Sequence, residues 1–165
     1  MERTLQVLNE LERAGVVGRY AIGGPMAATF YTEPLLTFDL DVFMVLPQTP
    51  GGAVTLSSLY DALRARGFTE EGECVNVEGV PVQFLPVYSP LLEEALAQAR
   101  ETTYETTPTR VLRAEHLLAI ALQTGREKDR HRVRLQLEQA AIDTQYLSGV
   151  VSRHGLQSKW NQWKL

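Results

Sequence analysis

The sequence predicts an α/β fold of the α+β kind, in which a small mixed sheet is flanked by helices and followed by a helical C-terminal extension. Two observations predict it. Helix-like and strand-like apolar periodicities alternate up to about residue 100. From Val111 onward the apolar residues recur at helical spacing only. We therefore expect a core over 1–100 and a helical part over 101–165 that packs on it, forming one compact domain.

The elements of the first half follow from local signals. Gly15 ends the first helix, and Pro25 is suited to the first turn of a short one. A proline and a glycine-rich loop at 50–52 end the second strand. In chain order the elements are a helix over 2–14, a strand over 19–22, a short helix up to Tyr31, a strand over 37–46 and a helix over 54–66.

The second half begins with a hairpin and ends in helices. Strands over 68–77 and 80–87 are joined at Glu78-Gly79, and Ser89-Pro90 precedes a helix. The segment 102–109 is rich in β-branched residues, which suits either a short strand or an extended loop. The predicted helices cover 91–100, 115–123, 128–142 and 150–163, with Gly125 and Gly149 as breaks between the last three.

Composition excludes several classes of protein. The chain of 165 residues has a net charge of −4, which disfavours a dedicated binder of long nucleic acid. No apolar run is long enough to span a bilayer, and the N-terminus lacks the pattern of a signal peptide. Cys74 is the only cysteine, so no internal disulfide can form. We expect a cytoplasmic protein without membrane contact.

Asp39 and Asp41 carry the clearest functional signal. Side chains alternate along a strand, so both carboxylates point to one face. Crowded, poorly hydrated carboxylates resist full ionisation without a cation, and Mg²⁺ (or Mn²⁺) takes one or two carboxylates plus phosphate oxygens. The upstream pair Gly23-Gly24 lets the backbone approach a phosphate closely. The combination predicts metal-dependent phosphoryl transfer, whereas an isolated Asp-x-Asp would be read as a solvated strand entrance.

The glycine pair followed by the aspartate pair resembles the DNA polymerase β-like nucleotidyltransferase superfamily. The small bacterial members of minimal nucleotidyltransferase and abortive-infection toxin–antitoxin type are the most similar. The resemblance implies a nucleotidyltransferase fold and a nucleoside triphosphate (NTP) as substrate. It implies that Gly23 and Gly24 contact the nucleotide phosphates, and that Asp39 and Asp41 bind Mg²⁺ and act in catalysis.

The same resemblance implies a third catalytic carboxylate on a later strand, within 80–86. The residue at that position is Gln83. A carboxamide lowers the charge of the ligand set and cannot accept a proton, although its carbonyl oxygen still coordinates weakly. Glu73 or Glu78 would substitute only through a shift in strand register. The expectation is a nucleotide–Mg²⁺ site with slowed or absent chemistry.

A basic cluster begins the C-terminal helical part. Residues 126–134 hold five basic and two acidic side chains. The family resemblance extends to this segment and implies that Arg126 and Lys128 neutralise a triphosphate. A solvated helix face with Glu127–Arg130 or Glu127–His131 pairs explains the same residues equally well.

Two functions therefore remain open. The first is a nucleotidyltransferase that moves a nucleoside monophosphate from an NTP to a hydroxyl on a small molecule, an RNA end or a protein. The second is a catalytically impaired nucleotide-binding or protein-interaction module, for example one half of a toxin–antitoxin pair. Gln83 favours the second, while the retained glycine and aspartate pairs favour the first.

Overall fold

The computed structural model of the chain describes residues 1–34, 37–48 and 55–163. The predicted loop at 50–52 and the first residue of the helix expected over 54–66 lie outside these ranges. Within them the chain forms seven strands and eight helices. The strands are β1 (Tyr20–Ile22), β2 (Leu40–Met44), β3 (Thr69–Glu71), β4 (Cys74–Val77), β5 (Val80–Pro86), β6 (Arg100–Tyr104) and β7 (Thr107–Val111). The helices are α1 (Glu2–Arg13), α2 (Gly24–Ala28), α3 (Ser57–Ala65), α4 (Pro90–Ala97), α5 (Ala114–Thr124), α6 (Glu127–Gln139), α7 (Thr144–Arg153) and α8 (Gln157–Trp163).

All seven strands form one mixed sheet in the order β3-β4-β5-β2-β1-β7-β6. β2 runs antiparallel to β1 and parallel to β5, and β1 runs parallel to β7. The prediction of a small mixed sheet flanked by helices is therefore confirmed. β2 lies in the middle of the sheet, and its residues Val42, Phe43 and Met44 are buried. This agrees with the expectation from its unbroken apolar run.

Two strand predictions differ from the structure in detail. The single strand expected over 68–77 is divided into β3 and β4, because Gly72, with φ +65°, turns the chain between them. The segment left open as strand or loop forms the β6–β7 hairpin, and β7 joins the sheet beside β1. The first helix after residue 100 consequently begins only at Ala114.

The helical prediction was right about Gly125 and wrong about Gly149. Gly125 is the left-handed residue that ends α5, with φ +71°. Gly149 lies inside α7, whose residues Leu147, Val150 and Val151 are buried. The chain instead turns at Gly155, with φ +66°, between α7 and α8. Burial of the apolar face of α7 outweighs the modest cost of one glycine in a helix.

Helix α5 joins the sheet to the C-terminal helices. Leu117 belongs to the apolar core over the sheet, while Leu118 and Leu122 belong to a second core. Val133, Leu147, Val151 and Trp163 complete that second core. Truncating a fully buried leucine such as Leu118 typically costs about 2–5 kcal/mol of stability. The position of α6 relative to the sheet is therefore set by packing through α5.

A polar cluster also ties α4 to α5 and α7. Glu94 accepts hydrogen bonds from Arg153 Nη2 at 2.7 Å, His154 Nε2 at 2.7 Å and His116 Nε2 at 3.2 Å. Arg153 first, and then the two histidines, hold the pKa of the Glu94 carboxyl at about 2. Burial lowers the pKa of His116, whose side chain is fully enclosed. The cluster is a structural anchor for the helical part.

Candidate functional site

Three of the predicted site residues, Gly23, Asp41 and Gln83, lie in one row across the centre of the sheet. Gly23 N–H donates to the carbonyl oxygen of Asp41 at 2.9 Å, and Asp41 is the Cα partner of Gln83 on the parallel strand β5. Directly paired residues on neighbouring strands share a face of the sheet. Extending the β4–β5 register by one residue beyond its Val75–Val82 pair brings Cys74 beside Gln83. The row therefore runs from the glycine turn through the aspartate strand to the predicted third position.

The ionised form of the Asp41 carboxylate is disfavoured by its surroundings. Partial burial first, and then the neighbouring Asp39 carboxylate, raise its pKa to about 6. Asp39 lies one residue before β2, where its side chain accepts a hydrogen bond from Thr37 Oγ1 at 3.3 Å. The two carboxylates thus lie close enough to repel each other. A bound cation would relieve both the repulsion and the lost hydration.

The glycine pair packs directly on the aspartate strand. Gly24 adopts a left-handed conformation with φ +59°, and a Cβ at this position would overlap Asp41 Oδ2. A Cβ on Gly23 would overlap the Phe43 ring. Because no side chain fits between the turn and β2, the backbone at 23–24 stays close to the Asp41 carboxylate. This turn leads into α2, a helix of five residues.

Cations in the first half of α6 act on Asp41 through their charge. Arg132, Arg126 and Lys128 each lower the pKa of Asp41, with Arg132 having the largest effect. Arg126 and Lys128 were predicted from sequence, whereas Arg132 was not. The three cations oppose the burial and repulsion that raise this pKa, so the site combines two acidic groups with a facing basic group. Such an arrangement suits a polyanion bound together with a metal ion.

Asp129 organises two of these cations. Asp129 is 2% exposed, and its carboxylate accepts from Arg126 Nε at 2.7 Å, Arg126 Nη2 at 3.2 Å and Arg132 Nη1 at 3.2 Å. These are the ion pairs that form here, in place of the Glu127–Arg130 or Glu127–His131 pairs that the sequence allowed. The signal was present in the sequence, since Asp129 is three residues from each arginine and helical neighbours are three or four apart.

The donor set fits a hard divalent cation that the substrate helps to bind. Across 1–34, 37–48 and 55–163, no three His, Cys, Asp or Glu side chains are grouped to hold a metal by themselves. Asp39 and Asp41 supply two carboxylates, which is the number that Mg²⁺ usually takes from a protein when substrate phosphates complete its shell. The raised pKa of Asp41 is the structural observation that agrees with this fit.

Gln83 forms a hydrogen bond with an acidic side chain. Its Nε2 donates to Glu73 Oε2 at 3.3 Å, and Glu73 lies in the turn between β3 and β4. Glu78, the other acid considered from sequence, is exposed at the β4–β5 turn, with φ +54°. No register shift occurs, so Gln83 occupies the strand position and Glu73 reaches it from outside the row.

The chain is similar to solved nucleotidyltransferase structures over nearly its whole length. Against the solution structure of the antibiotic-resistance factor ANT(2'')-Ia the TM-score is 0.53 at 14% identity, covering 98% of this chain and 96% of that one. Against crystalline ANT(2'')-Ia in complex with adenylyl-2''-tobramycin it is 0.54 at 12% identity, covering 94% and 98%. An antigenic nucleotidyltransferase-like protein from Paracoccidioides brasiliensis gives 0.55 at 15% identity, covering 99% and 94%.

These similarities establish the class of fold. The chain has a nucleotidyltransferase fold, as the glycine and aspartate pairs predicted. No protein-family model and no curated protein matches the sequence. Separately, none of the helices that the structure describes is long and apolar enough to cross a membrane.

Proposed function

We propose that this chain binds an NTP together with Mg²⁺ (or Mn²⁺) and transfers its nucleoside monophosphate to a hydroxyl acceptor. The observation that supports the proposal is the environment of Asp41, a half-buried carboxylate that is repelled by Asp39 and stabilised by the charges of Arg132, Arg126 and Lys128. The nucleotidyltransferase fold supports the same reaction class. One relative in fold, ANT(2'')-Ia, has been crystallised with adenylyl-2''-tobramycin, so this fold accommodates an adenylylated product.

Each residue has a role that follows from its chemistry. Asp39 and Asp41 hold the metal ion, which supplies charge neutralisation at the phosphates when it is bound. Gly23 and Gly24 keep the backbone close to the phosphates without a side chain between them. Arg126, Lys128 and Arg132 stabilise the negative charge of the triphosphate and of the leaving pyrophosphate. Catalysis then rests on positioning and charge, with Gln83 at the third position.

The second candidate is a catalytically impaired module that binds nucleotide or a protein partner, such as a toxin–antitoxin component. Gln83 beside Asp41 favours it, because a carboxamide cannot take the proton of the attacking hydroxyl. A nucleotide-binding module would share the nucleotide site with the first candidate and differ from it in turnover, whereas a protein-binding module need not bind nucleotide at all. Nucleotide binding is therefore the first property to measure.

Calorimetric titration of ATP and GTP, with and without Mg²⁺, tests the site. Binding to the natural protein should require Mg²⁺ and should be lost in the Asp39→Asn/Asp41→Asn double variant. Asp61→Asn is the matched control, since Asp61 lies on the exposed face of α3, where it pairs with Arg64. Metal-independent binding, or equal binding by the double variant, would refute the proposed site.

A second measurement addresses the reaction. Pyrophosphate release should be followed with an aminoglycoside, an RNA 3' end and the protein itself as hydroxyl acceptors, in separate reactions. Release that depends on one acceptor and on both aspartates supports nucleotidyl transfer. Tight Mg²⁺-dependent binding without release from any of them supports the impaired module.

A further inference from the structure

We propose that Glu73 is a positioning residue that orients the Gln83 carboxamide, so that Gln83 presents its carbonyl oxygen to the cation held by Asp39 and Asp41. The inference rests on the proposed nucleotide–Mg²⁺ site. It assigns a role to an acidic residue that lies outside the row of site residues. The geometry behind it is the Gln83 Nε2 to Glu73 Oε2 hydrogen bond of 3.3 Å and the pairing of Gln83 with Asp41.

The side-chain carboxamide of a glutamine has two chemically different ends. Its NH₂ group donates and its carbonyl oxygen accepts. Beside Asp41, an unconstrained carboxamide would turn its NH₂ toward that carboxylate, since donor and acceptor attract. That orientation would occupy an Asp41 oxygen and direct a donor at the cation. A glutamine therefore serves a metal site only when something else binds its NH₂ group.

Glu73 provides that partner. An ionised carboxylate only accepts hydrogen bonds, so the group that meets Glu73 must be the Gln83 NH₂. The two ends of a carboxamide diverge, and binding of Nε2 by Glu73 turns Oε1 away from Glu73. The role is the same as that of an outer hydrogen-bond partner that orients a metal ligand in other proteins.

Glu73 also supplies the charge that Gln83 lacks. Besides burial, the carboxylates of Asp39, Asp41, Glu73 and Glu71 all raise the pKa of the Cys74 thiol. Cys74 lies beside Gln83 in the sheet, so the Glu73 and Glu71 charges both act on the region of the aspartate pair. Of these two glutamates, Glu73 bonds Gln83 whereas Glu71 bonds Asn76, so the Glu73 charge is joined to the strand position that lacks a carboxylate.

The test is a double-mutant cycle read by metal binding. Mn²⁺ affinity is measured by electron paramagnetic resonance in the presence of a non-hydrolysable ATP analogue, for the natural protein, Glu73→Gln, Gln83→Asp and the double variant. Glu73→Gln should weaken Mn²⁺ binding by about 10-fold or more, because a carboxamide at position 73 both donates and accepts and so no longer selects the Gln83 NH₂. In the Gln83→Asp background the same change should have little effect, because a carboxylate has no NH₂ to orient.

Glu71→Gln is the matched control. Glu71 lies at the end of β3 with the same charge, and its carboxylate bonds Asn76. The Glu71→Gln variant should keep Mn²⁺ affinity within about twofold of the natural protein. Melting temperatures should show that all variants fold. Equal weakening by Glu71→Gln, or equal effects of Glu73→Gln in both backgrounds, would overturn the positioning role while leaving the nucleotide site intact. If the natural protein binds no Mn²⁺–nucleotide, both this role and the proposed function are wrong.

Discussion

Gln83 lies directly beside Asp41, as its Cα partner on the neighbouring parallel strand. Residues paired in this way share a face of the sheet, so the carboxamide and the carboxylate face the same region. The question of catalysis therefore concerns a single side chain. In the proposed function, Asp39 and Asp41 bind the metal ion and the cations of α6 neutralise the triphosphate.

The first prediction is that Gln83→Asp raises the rate of nucleotidyl transfer. A carboxylate at this position restores both a metal ligand and a proton acceptor, and a positioned base contributes about 10²–10⁴-fold. The measurement is pyrophosphate release under saturating Mg²⁺–ATP. Gln83→Asn has the same size as the aspartate variant without the charge and should show no gain. A natural protein that turns over as fast as Gln83→Asp would show that the carboxamide is no defect.

The second prediction is that Gly24→Ala damages both stability and nucleotide binding. Alanine is less stable than glycine at the left-handed φ of +59°, and its Cβ would overlap the Asp41 carboxylate. Gly15→Ala is the control, since Gly15 has φ +70° and open space around it. We expect Gly15→Ala to cost about 1 kcal/mol by denaturant unfolding and to leave binding unchanged. Gly24→Ala should cost more and abolish Mg²⁺–ATP binding, and equal costs would argue against the close packing of the turn.

The third prediction concerns Asp41 without metal. Its pKa is about 6 in the folded protein against 3.8 for an ordinary aspartate, so the folded state binds this proton more tightly than the unfolded state. Stability contributed by the protonated group is therefore lost as pH rises through this interval. In EDTA at pH 8, Asp41→Asn should raise the free energy of unfolding by on the order of 2 kcal/mol.

The increase in the free energy of unfolding caused by Asp41→Asn should depend on pH and on bound metal. At pH 4 the natural protein already carries a neutral Asp41, so the difference should nearly vanish. With Mg²⁺–ATP present the order should reverse, since only the natural protein gains stability from the bound ligand. An increase in the free energy of unfolding of Asp41→Asn that is equal at pH 4 and pH 8 would contradict the raised pKa of Asp41.

The fourth prediction separates the cations of α6. Arg132→Gln should weaken Mg²⁺–ATP binding by about tenfold, the usual effect of losing one charge-assisted hydrogen bond. Arg134→Gln makes the same change at an exposed position on the same helix and should have little effect. Calorimetry at two salt concentrations is the measurement. Equal losses in the two variants would mean that α6 acts only through its net charge.

The fifth prediction concerns the cluster that anchors the helical part. The pKa of Glu94 is held at about 2, against an ordinary 4.5, so its contribution to stability is present above pH 4.5 and is lost as pH falls toward 2. Glu94→Gln should lower the melting temperature at pH 7 and by roughly half as much at pH 3, where the carboxyl is protonated in the unfolded chain but still mostly ionised in the folded protein. Glu93→Gln, the exposed neighbour on α4, should change neither value. A deficit that persists unchanged at pH 3 would show that shape rather than charge matters at this position.

The accuracy of the sequence predictions follows the range of the interactions involved. α1, β1, β2 and the β4–β5 hairpin were predicted closely, because apolar period and turn residues specify them within a few positions. The β6–β7 hairpin was left open between strand and loop, because its strand character depends on β1, a partner far away in the chain. Gly149 was misplaced for a related reason, since the buried face of α7 is defined by residues of other helices.

The residues of the candidate site also differ in how far the sequence alone predicts them. Spacing within one short segment is enough to predict the glycine and aspartate pairs as candidate site residues, because a turn and a strand set their geometry locally. Arg132 and Glu73 come to the site through contacts between segments distant in sequence. Packing through α5 positions α6, and the β3–β4 turn carries Glu73 to Gln83. The packing of distant segments depends on the sum of many small hydrophobic and van der Waals contributions. That sum cannot be predicted from any local pattern in the sequence.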